Sequence, residues 1–444
     1  MAEYDDFLNI KTPIGEIKID KISLKDFIQD CVKDSKKEDN LKYSDIYEFL
    51  GNKEVNQEYK GLEPHKVDSY LYCIHKVIKA NYDILDMTDY SQEETRTPAV
   101  QKEFEYGEED NQTYVIQGHL FLQNKETKSK LVISFNPYYS DAGPHLEIEG
   151  YNLKGEVSLN ELWVIVEQLF DSHSPLKNKK IDTKWKFIEY NKTTWDDIII
   201  ETDKRRLIDR NIINFINNMK EYEKRRLPTS RGILLTGPPG TGKTLLCETI
   251  MNTLNCTTIY VSSDKVDKRG DISEVYYLAK RLSPSIVIIE DIDTLGGLDR
   301  RDGNTHPLFG EFLNCLNGVS SNEGVVTIAT TNYPENLDLA LTDRPGRFDL
   351  KIRMDLPNSK ARKYILLKYL EEFDYGKLNI SKIVNKTEDL SGAYLREIVV
   401  TAYMISQERG EKISDEILNE ATESVIEMKN NVNPVKLKNS TLYM

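Results

Sequence analysis

The stretch ILLTGPPGTGKT, Ile233 to Thr244, decides the fold. A short run of branched apolar residues ends in Gly237-Pro238-Pro239-Gly240-Thr241-Gly242-Lys243-Thr244, which satisfies G-x-x-x-x-G-K-[ST]. The residues that follow, KTLLCETIMNTL, have helical spacing, so the glycine-rich turn lies between a strand and a helix. That context gives the motif its chemistry. Glycines let the backbone turn tightly, with successive N–H groups aimed at phosphate oxygens, and the helix N-terminus adds its positive end. Lys243 is placed to reach the β- and γ-phosphates and the Thr244 hydroxyl to bind Mg²⁺, with Leu245 next along the same turn.

Outward from this loop, apolar strands and helices alternate through TTIYVSS, ISEVYYLAKRL, IVIIEDID, LFGEFLNCLNGV and VVTIATTN. The alternation predicts an α/β fold, a P-loop parallel sheet covered on both faces. Ligands of such sheets sit at the carboxyl ends of the strands. IVIIEDID, Ile286 to Asp293, delivers Glu290, Asp291 and Asp293 to that end. Asp293 alone would suit a helix cap, but two adjacent acids ending a buried strand are costly unless tied to a metal or a water. Asn332 ends the next strand and can orient water by donating and accepting at once. DRPGRFD contributes Arg344 and Arg347, the residue type that stabilises charge on a transferring phosphoryl group and can come from a neighbouring subunit.

The chain has 444 residues, too many for one ordinary core. Five segments organise it. Residues 1–90 read as a helical N-terminal region, 91–184 as a β-rich domain for a substrate or partner, 185–356 as the large α/β domain, 357–430 as a helical lid and 431–444 as a loose tail. SLKDFIQDCVK and HKVDSYLYCIHKVIKANYDIL carry helical spacing in the first; TYVIQGHLFLQ, KLVISF and HLEIEGYN are β-prone runs in the second. The net charge of −14 weighs against nucleic acid as a partner, and no apolar run reaches membrane-span length. Five scattered cysteines without a C-x-x-C pair fit a reducing compartment, so the expectation is a soluble cytoplasmic protein.

With these elements in order, the chain from about Trp185 to Met428 resembles the AAA ATPases. GPPGTGKT is similar to their Walker A motif, IVIIEDID to Walker B, TTN to sensor 1 and RPGRFD to the arginine-finger segment. The resemblance implies an ATP hydrolase with ATP and Mg²⁺ bound between subunits of a ring, a hexamer before a heptamer, and Arg344 and Arg347 acting in trans. SGAYLRE is similar to the segment that meets the nucleotide from the lid, which makes Gly392 and Ala393 candidates; Asp197 and Ile198 in TWDDIII stand near the adenine. By position in the motif, Glu290 is where the Mg²⁺-holding acid is expected and Asp291 where the water-activating base is expected. The usual order there is Asp-Glu, and the base here is one methylene shorter, so a shared role for Glu290 stays open. The segment NFINNMKEYEKRRLPTSRGILLTGPPGTGKT and the Glu-Asp order look most like the mitochondrial translocase of the Rieske protein, as a relative without its anchor.

The resemblance implies coupling of ATP hydrolysis to remodelling or translocation of a protein substrate recruited through residues 1–184. DKVDKRGDIS, where the family places a pore loop, carries Lys268 and Arg269 before Gly270 and no aromatic, which leaves peptide threading open. Two alternatives remain: a nucleic-acid motor or loader, and a nucleotide-gated assembly scaffold that hydrolyses slowly.

Overall fold

The computed structural model describes residues 7–12, 15–20, 41–52, 54–91, 95–105, 111–140, 143–262, 266, 270–294, 307–317, 322–334 and 348–432. They group into two compact units, Met1–Pro175 and Leu176–Met444.

The first unit opens with an antiparallel pair, β1 (Phe7–Thr12) and β2 (Gly15–Asp20). Then come α1 (Leu41–Leu50), β3 (Val55–Leu62), α2 (Val67–Asn81), β4 (Tyr82–Tyr90), β5 (Arg96–Pro98), β6 (Val100–Glu105), β7 (Asn111–Asn124), β8 (Lys130–Ser140), β9 (Gly143–Leu153) and α3 (Leu159–His173). The sheet runs β3-β9-β8-β7-β4-β5 with antiparallel neighbours, and β6 also pairs with β7. Alternate residues serve opposite faces. Phe121, Val132 and Tyr151 pack with Ile46 and Leu50 of α1. Gly150 lies under α3, where a Cβ would come within 2.4 Å of the Leu159 side chain. Ser158 starts α3 through a capping box with Glu161.

This unit departs from the division expected at residue 90. The spacing of HKVDSYLYCIHKVIKANYDIL does give a helix, but only over Val67–Asn81, and the chain passes directly into β4. β3 and β4, from the stretch read as helical, pair with β9 and β7 of the stretch read as β-rich. SLKDFIQDCVK lies outside the described residues, as do 433–444 of the tail.

The second unit contains β10 (Lys180–Asp182), α4 (Thr202–Ile208, continued by a π-helical turn Asp209–Ile213 and by Asn214–Asn217), α5 (Met219–Lys224), β11 (Arg231–Thr236), α6 (Lys243–Thr253), β12 (Thr257–Val261), α7 (Asp271–Arg281), β13 (Ser285–Ile289), α8 (Pro307–Asn317), β14 (Val325–Thr331), β15 (Leu350–Arg353), α9 (Ser359–Leu370), α10 (Ile380–Lys386), α11 (Gly392–Arg409) and α12 (Asp415–Val432). The fold is α/β, with a parallel sheet in the order β10-β12-β13-β14-β11-β15. Every residue of β13 and β14 is buried, which is why β13 carries the apolar run Ile286–Ile289 and β14 the largely β-branched VVTIATT. From β11 the chain jumps past two places to β12, fills β13 and β14 on the way back, and then crosses to β15. The winding reverses beside β11, and a crevice forms there at the carboxyl ends of the strands. One core joins β11, β13 and β14 to α4 and α6; a separate one is built from α9, α10, α11 and α12 alone.

Candidate nucleotide site

The phosphate loop leaves β11 at Thr236 through Gly237, whose φ of +145° few side chains adopt. A Cβ there would lie 2.1 Å from the Met354 carbonyl oxygen, so the end of β15 leaves room only for glycine. Gly242, with φ +94°, precedes α6, whose first N–H groups have no intrahelical partner and face the loop's concavity. Lys243 is buried, and its Nζ donates to Gly237 O at 2.7 Å and Pro238 O at 3.0 Å. Burial pushes its ammonium pKa down, against the pull of Asp291, Asp293 and Glu290. Thr241 Oγ1 donates to Pro238 O at 2.9 Å, Thr244 and Pro239 are exposed, and Leu245 is half-buried on the core.

The acids arrive from β13 between two strands that hold them differently. Glu290 N donates to Val261 O of β12 at 3.1 Å. Asp291 then takes a left-handed φ of +46° and turns to β14, its N donating to Thr330 Oγ1 at 3.0 Å. Ile292 N donates to Thr330 O at 3.0 Å, and Asn332 Nδ2 donates to Asp291 Oδ1 at 2.9 Å. Burial first, then Asp293 and Glu290, raise the Asp291 carboxyl pKa, with Lys243 opposing them. Glu290 takes a hydrogen bond from the Tyr260 hydroxyl, whose own pKa rises through burial and this carboxylate. One buried oxygen on each of Glu290 and Asp293, Oε1 and Oδ1, has no partner.

Those orphaned oxygens test the fit of a cation. Among the described residues no group of three or more His, Cys, Asp or Glu could hold a metal by itself. A hydrated Mg²⁺ asks for less, one or two protein oxygens completed by water and phosphate. Glu290 Oε1 and the exposed Thr244 hydroxyl offer that, so the residues present fit the ion.

The start of α11 touches the loop directly. Ala393 N donates to Gly240 O at 3.2 Å, and a Cβ on Gly240 would meet Ser391 Oγ at 2.6 Å and Ala393 Cβ at 2.8 Å. Gly392 brings its backbone to the same carbonyl, where a Cβ would lie 3.4 Å away. On the other flank Asp197 has no free carboxylate oxygen. Oδ2 accepts from Thr194 N and Oγ1 at 2.6 and 2.8 Å, and Oδ1 pairs with Lys368 of α9 at 2.9 Å. Lys368 foremost, helped by Thr194, holds its pKa down at about 2. Ile198 is buried in the core, so its side chain is taken up by packing.

Thus the structure gathers the phosphate loop, Glu290, Asp291, Asn332, Gly392 and Ala393 into one crevice. Arg344 and Arg347 lie outside the described residues, as do Lys268 and Arg269. Sequence reasoning missed Thr330, Tyr260, Met354, Ser391 and Lys368. Thr330 sits inside the quoted TIATTN, and a hydroxyl at the end of a strand beside the acids was its available signal. Met354 acts through its carbonyl and had none.

A phosphate loop on one strand, paired acids two strands away and a polar strand end between them define a P-loop nucleoside triphosphatase. Residues 233–356 match the model of the ATPase family associated with various cellular activities (AAA), so this part of the chain is similar to the ATPase domain of that family. The chain is 34% identical over 231 residues to the ATP-dependent zinc metalloprotease FtsH 2 of Salinibacter ruber, covering 49% of this chain and 33% of that protein. It is 35% identical over 237 residues to FtsH 2 of Thermoanaerobacter, covering 51% and 46%, and 31% identical over 272 residues to FtsH of Caldicellulosiruptor bescii, covering 57% and 43%. The chain therefore spans less than half the length of these relatives. No helix among the described residues is long and apolar enough to cross a membrane.

Proposed function

We propose that the protein is an oligomeric, Mg²⁺-dependent ATPase that couples hydrolysis to remodelling or translocation of a protein substrate engaged through residues 1–184. The observation that carries this reading is the geometry around Asp291: its carboxylate is held by Asn332 beside Lys243, with an unpartnered Glu290 oxygen next to it. Residues 185–356, together with β10 of the same sheet, serve as the large catalytic domain and 357–430 as the lid.

The N–H groups of the phosphate loop and the Lys243 ammonium bind the triphosphate. To do so the Lys243 ammonium gives up the Gly237 and Pro238 carbonyls and donates to the more highly charged phosphate oxygens. Thr244 and Glu290 would hold Mg²⁺, which supplies charge neutralisation on the β- and γ-phosphates. Asp291 accepts a proton from the attacking water as the water oxygen bonds to the γ-phosphorus and the bond from that phosphorus to the β–γ bridging oxygen breaks, releasing ADP and phosphate; Asn332 keeps the carboxylate turned toward that water. The raised Asp291 pKa makes it a better proton acceptor than an ordinary aspartate. Arg344 and Arg347, supplied by a neighbouring subunit of a hexameric or heptameric ring, stabilise the transferring phosphoryl group. Gly392 and Ala393 on the loop link lid position to the nucleotide, and the backbone at Asp197 and Ile198 faces the adenine.

The FtsH relatives are zinc metalloproteases by name. The 444 residues here contain no His-Glu-x-x-His, the pairing such a zinc site uses, so peptide hydrolysis is not part of the proposal. Steady-state ATP turnover by the full chain with Mg²⁺ tests it. Turnover should vanish in Lys243→Ala and in the double Glu290→Gln/Asp291→Asn substitution; turnover that both leave intact contradicts the site.

A further inference from the structure

Thr330 stands on β14, buried, one residue from the strand's end. Nothing in the ATPase motifs assigns it a task. Its hydroxyl accepts the Asp291 N–H at 3.0 Å, and its carbonyl accepts the next amide, Ile292 N, at 3.0 Å. Two residues on, and so on the same side of the strand, Asn332 holds the Asp291 carboxylate at 2.9 Å. The end of β14 therefore grips Asp291 at two points, amide and carboxylate.

The amide contact has a particular consequence. Glu290 keeps its N–H on the β12 side, bonded to Val261 O, while Asp291 has left the extended conformation for φ +46°. In that conformation its amide meets a side-chain hydroxyl where a continuing strand would offer a carbonyl. Aspartate enters the left-handed region more readily than longer side chains do. A left-handed turn also redirects the Cα–Cβ bond, and with it the direction in which the short carboxylate leaves the strand end.

We infer that Thr330 is a positioning residue for ATP hydrolysis: its hydroxyl fixes the left-handed backbone of Asp291 and so aims the short carboxylate at the attacking water. The inference rests on the reading of Asp291 as the base. It also gives the reversed Glu-Asp order a structural partner, since the acid that turns left-handed is the one whose amide a threonine receives.

Thr330→Val keeps the shape and removes the acceptor, leaving a buried amide unpaired beside the base. Its kcat for ATP should fall about tenfold or more, because small misplacements of a reacting group are costly. KM and the affinity for a fluorescent ATP analogue should stay within about twofold, since the phosphate loop is untouched. Thr330→Ser retains the hydroxyl and should keep the wild-type kcat; Thr330→Ala serves as the hydroxyl-free variant if valine is not accommodated. Asp291→Asn is measured alongside. If Asp291→Asn keeps turnover, the reading of the base fails. If it loses turnover while Thr330→Val and Thr330→Ala hydrolyse ATP at the wild-type rate, the Thr330 inference alone fails. A serine variant as slow as the valine one also overturns it.

Discussion

In the first unit, the buried His119 of the antiparallel sheet and the half-buried His75 of α2 both have partners. His119 Nδ1 lies 2.5 Å from Ser134 Oγ, and His75 Nε2 lies 3.1 Å from Val115 O. At the carboxyl end of the parallel sheet in the second unit, Glu290 and Asp293 each bury an oxygen that nothing satisfies. An unpaired buried carboxylate oxygen costs stability, and a folded protein retains it where a ligand supplies the missing partner. In the first sheet an orphaned atom is a neutral amide oxygen, Asn152 Oδ1, on β9. In the second the orphans are carboxylate oxygens gathered where the strands end, held in reserve for something that binds.

The sharpest way to break this comparison is with one methyl group in each unit. Gly237→Ala forces a Cβ to within 2.1 Å of the Met354 carbonyl, at a φ of +145°. It should destabilise the second unit by about 3 kcal/mol or more and abolish ATP binding. Gly155→Ala, in the first unit, has a φ of +86° but open space around its Cβ. The cost there is backbone strain alone, about 1 kcal/mol, with ATP binding unchanged. Urea unfolding and nucleotide titration of both variants read the difference; equal losses would show that the close approach at Gly237 does not matter.

Acid should sharpen the contrast. Burial lowers the pKa of His75 and of His119 from 6.5 to about 4, with Lys42 adding to the shift at His119. Between those values the unfolded chain binds protons that the folded unit does not, so stability falls as pH drops from about 6.5 toward 4. The expected loss by pH 5 is on the order of 2 kcal/mol for each histidine. Trp163 is the tryptophan of the first unit, and its fluorescence in a Trp185→Phe/Trp195→Phe background follows that unit's urea midpoint. A midpoint unchanged between pH 7 and pH 5 would contradict neutral buried histidines.

The two units also differed in how far their sequences could be read. In the second, β13 and β14 are buried on both faces, so their runs of β-branched and apolar residues stand out, and the acids and Asn332 follow at the strand ends. In the first, β3 is VNQEYKGL, an edge strand with a largely exposed surface and no apolar alternation. β4 exposes Ile84, Leu85 and Met87, and a bulge between Ile84 and Asp86 breaks its period of two. Neither strand carries the pattern that sequence reading depends on. At the site itself, residues acting through charge or glycine conformation were legible, and those acting through a single hydrogen bond were not. Thr330, Ser391 and the Lys368–Asp197 pair depend on elements brought together only by the fold.

The central claim is that Asp291 activates the water while Glu290 holds the metal. Single-turnover hydrolysis and Mg²⁺-dependent ATP binding, measured in Asp291→Asn and Glu290→Gln of the full chain, test it most directly. The account predicts that Asp291→Asn binds Mg·ATP as the wild type does and loses hydrolysis by about 10²-fold or more, while Glu290→Gln also loses the Mg²⁺ dependence of binding. If Glu290→Gln binds normally and abolishes hydrolysis while Asp291→Asn still turns over ATP, the roles are reversed and the account is wrong.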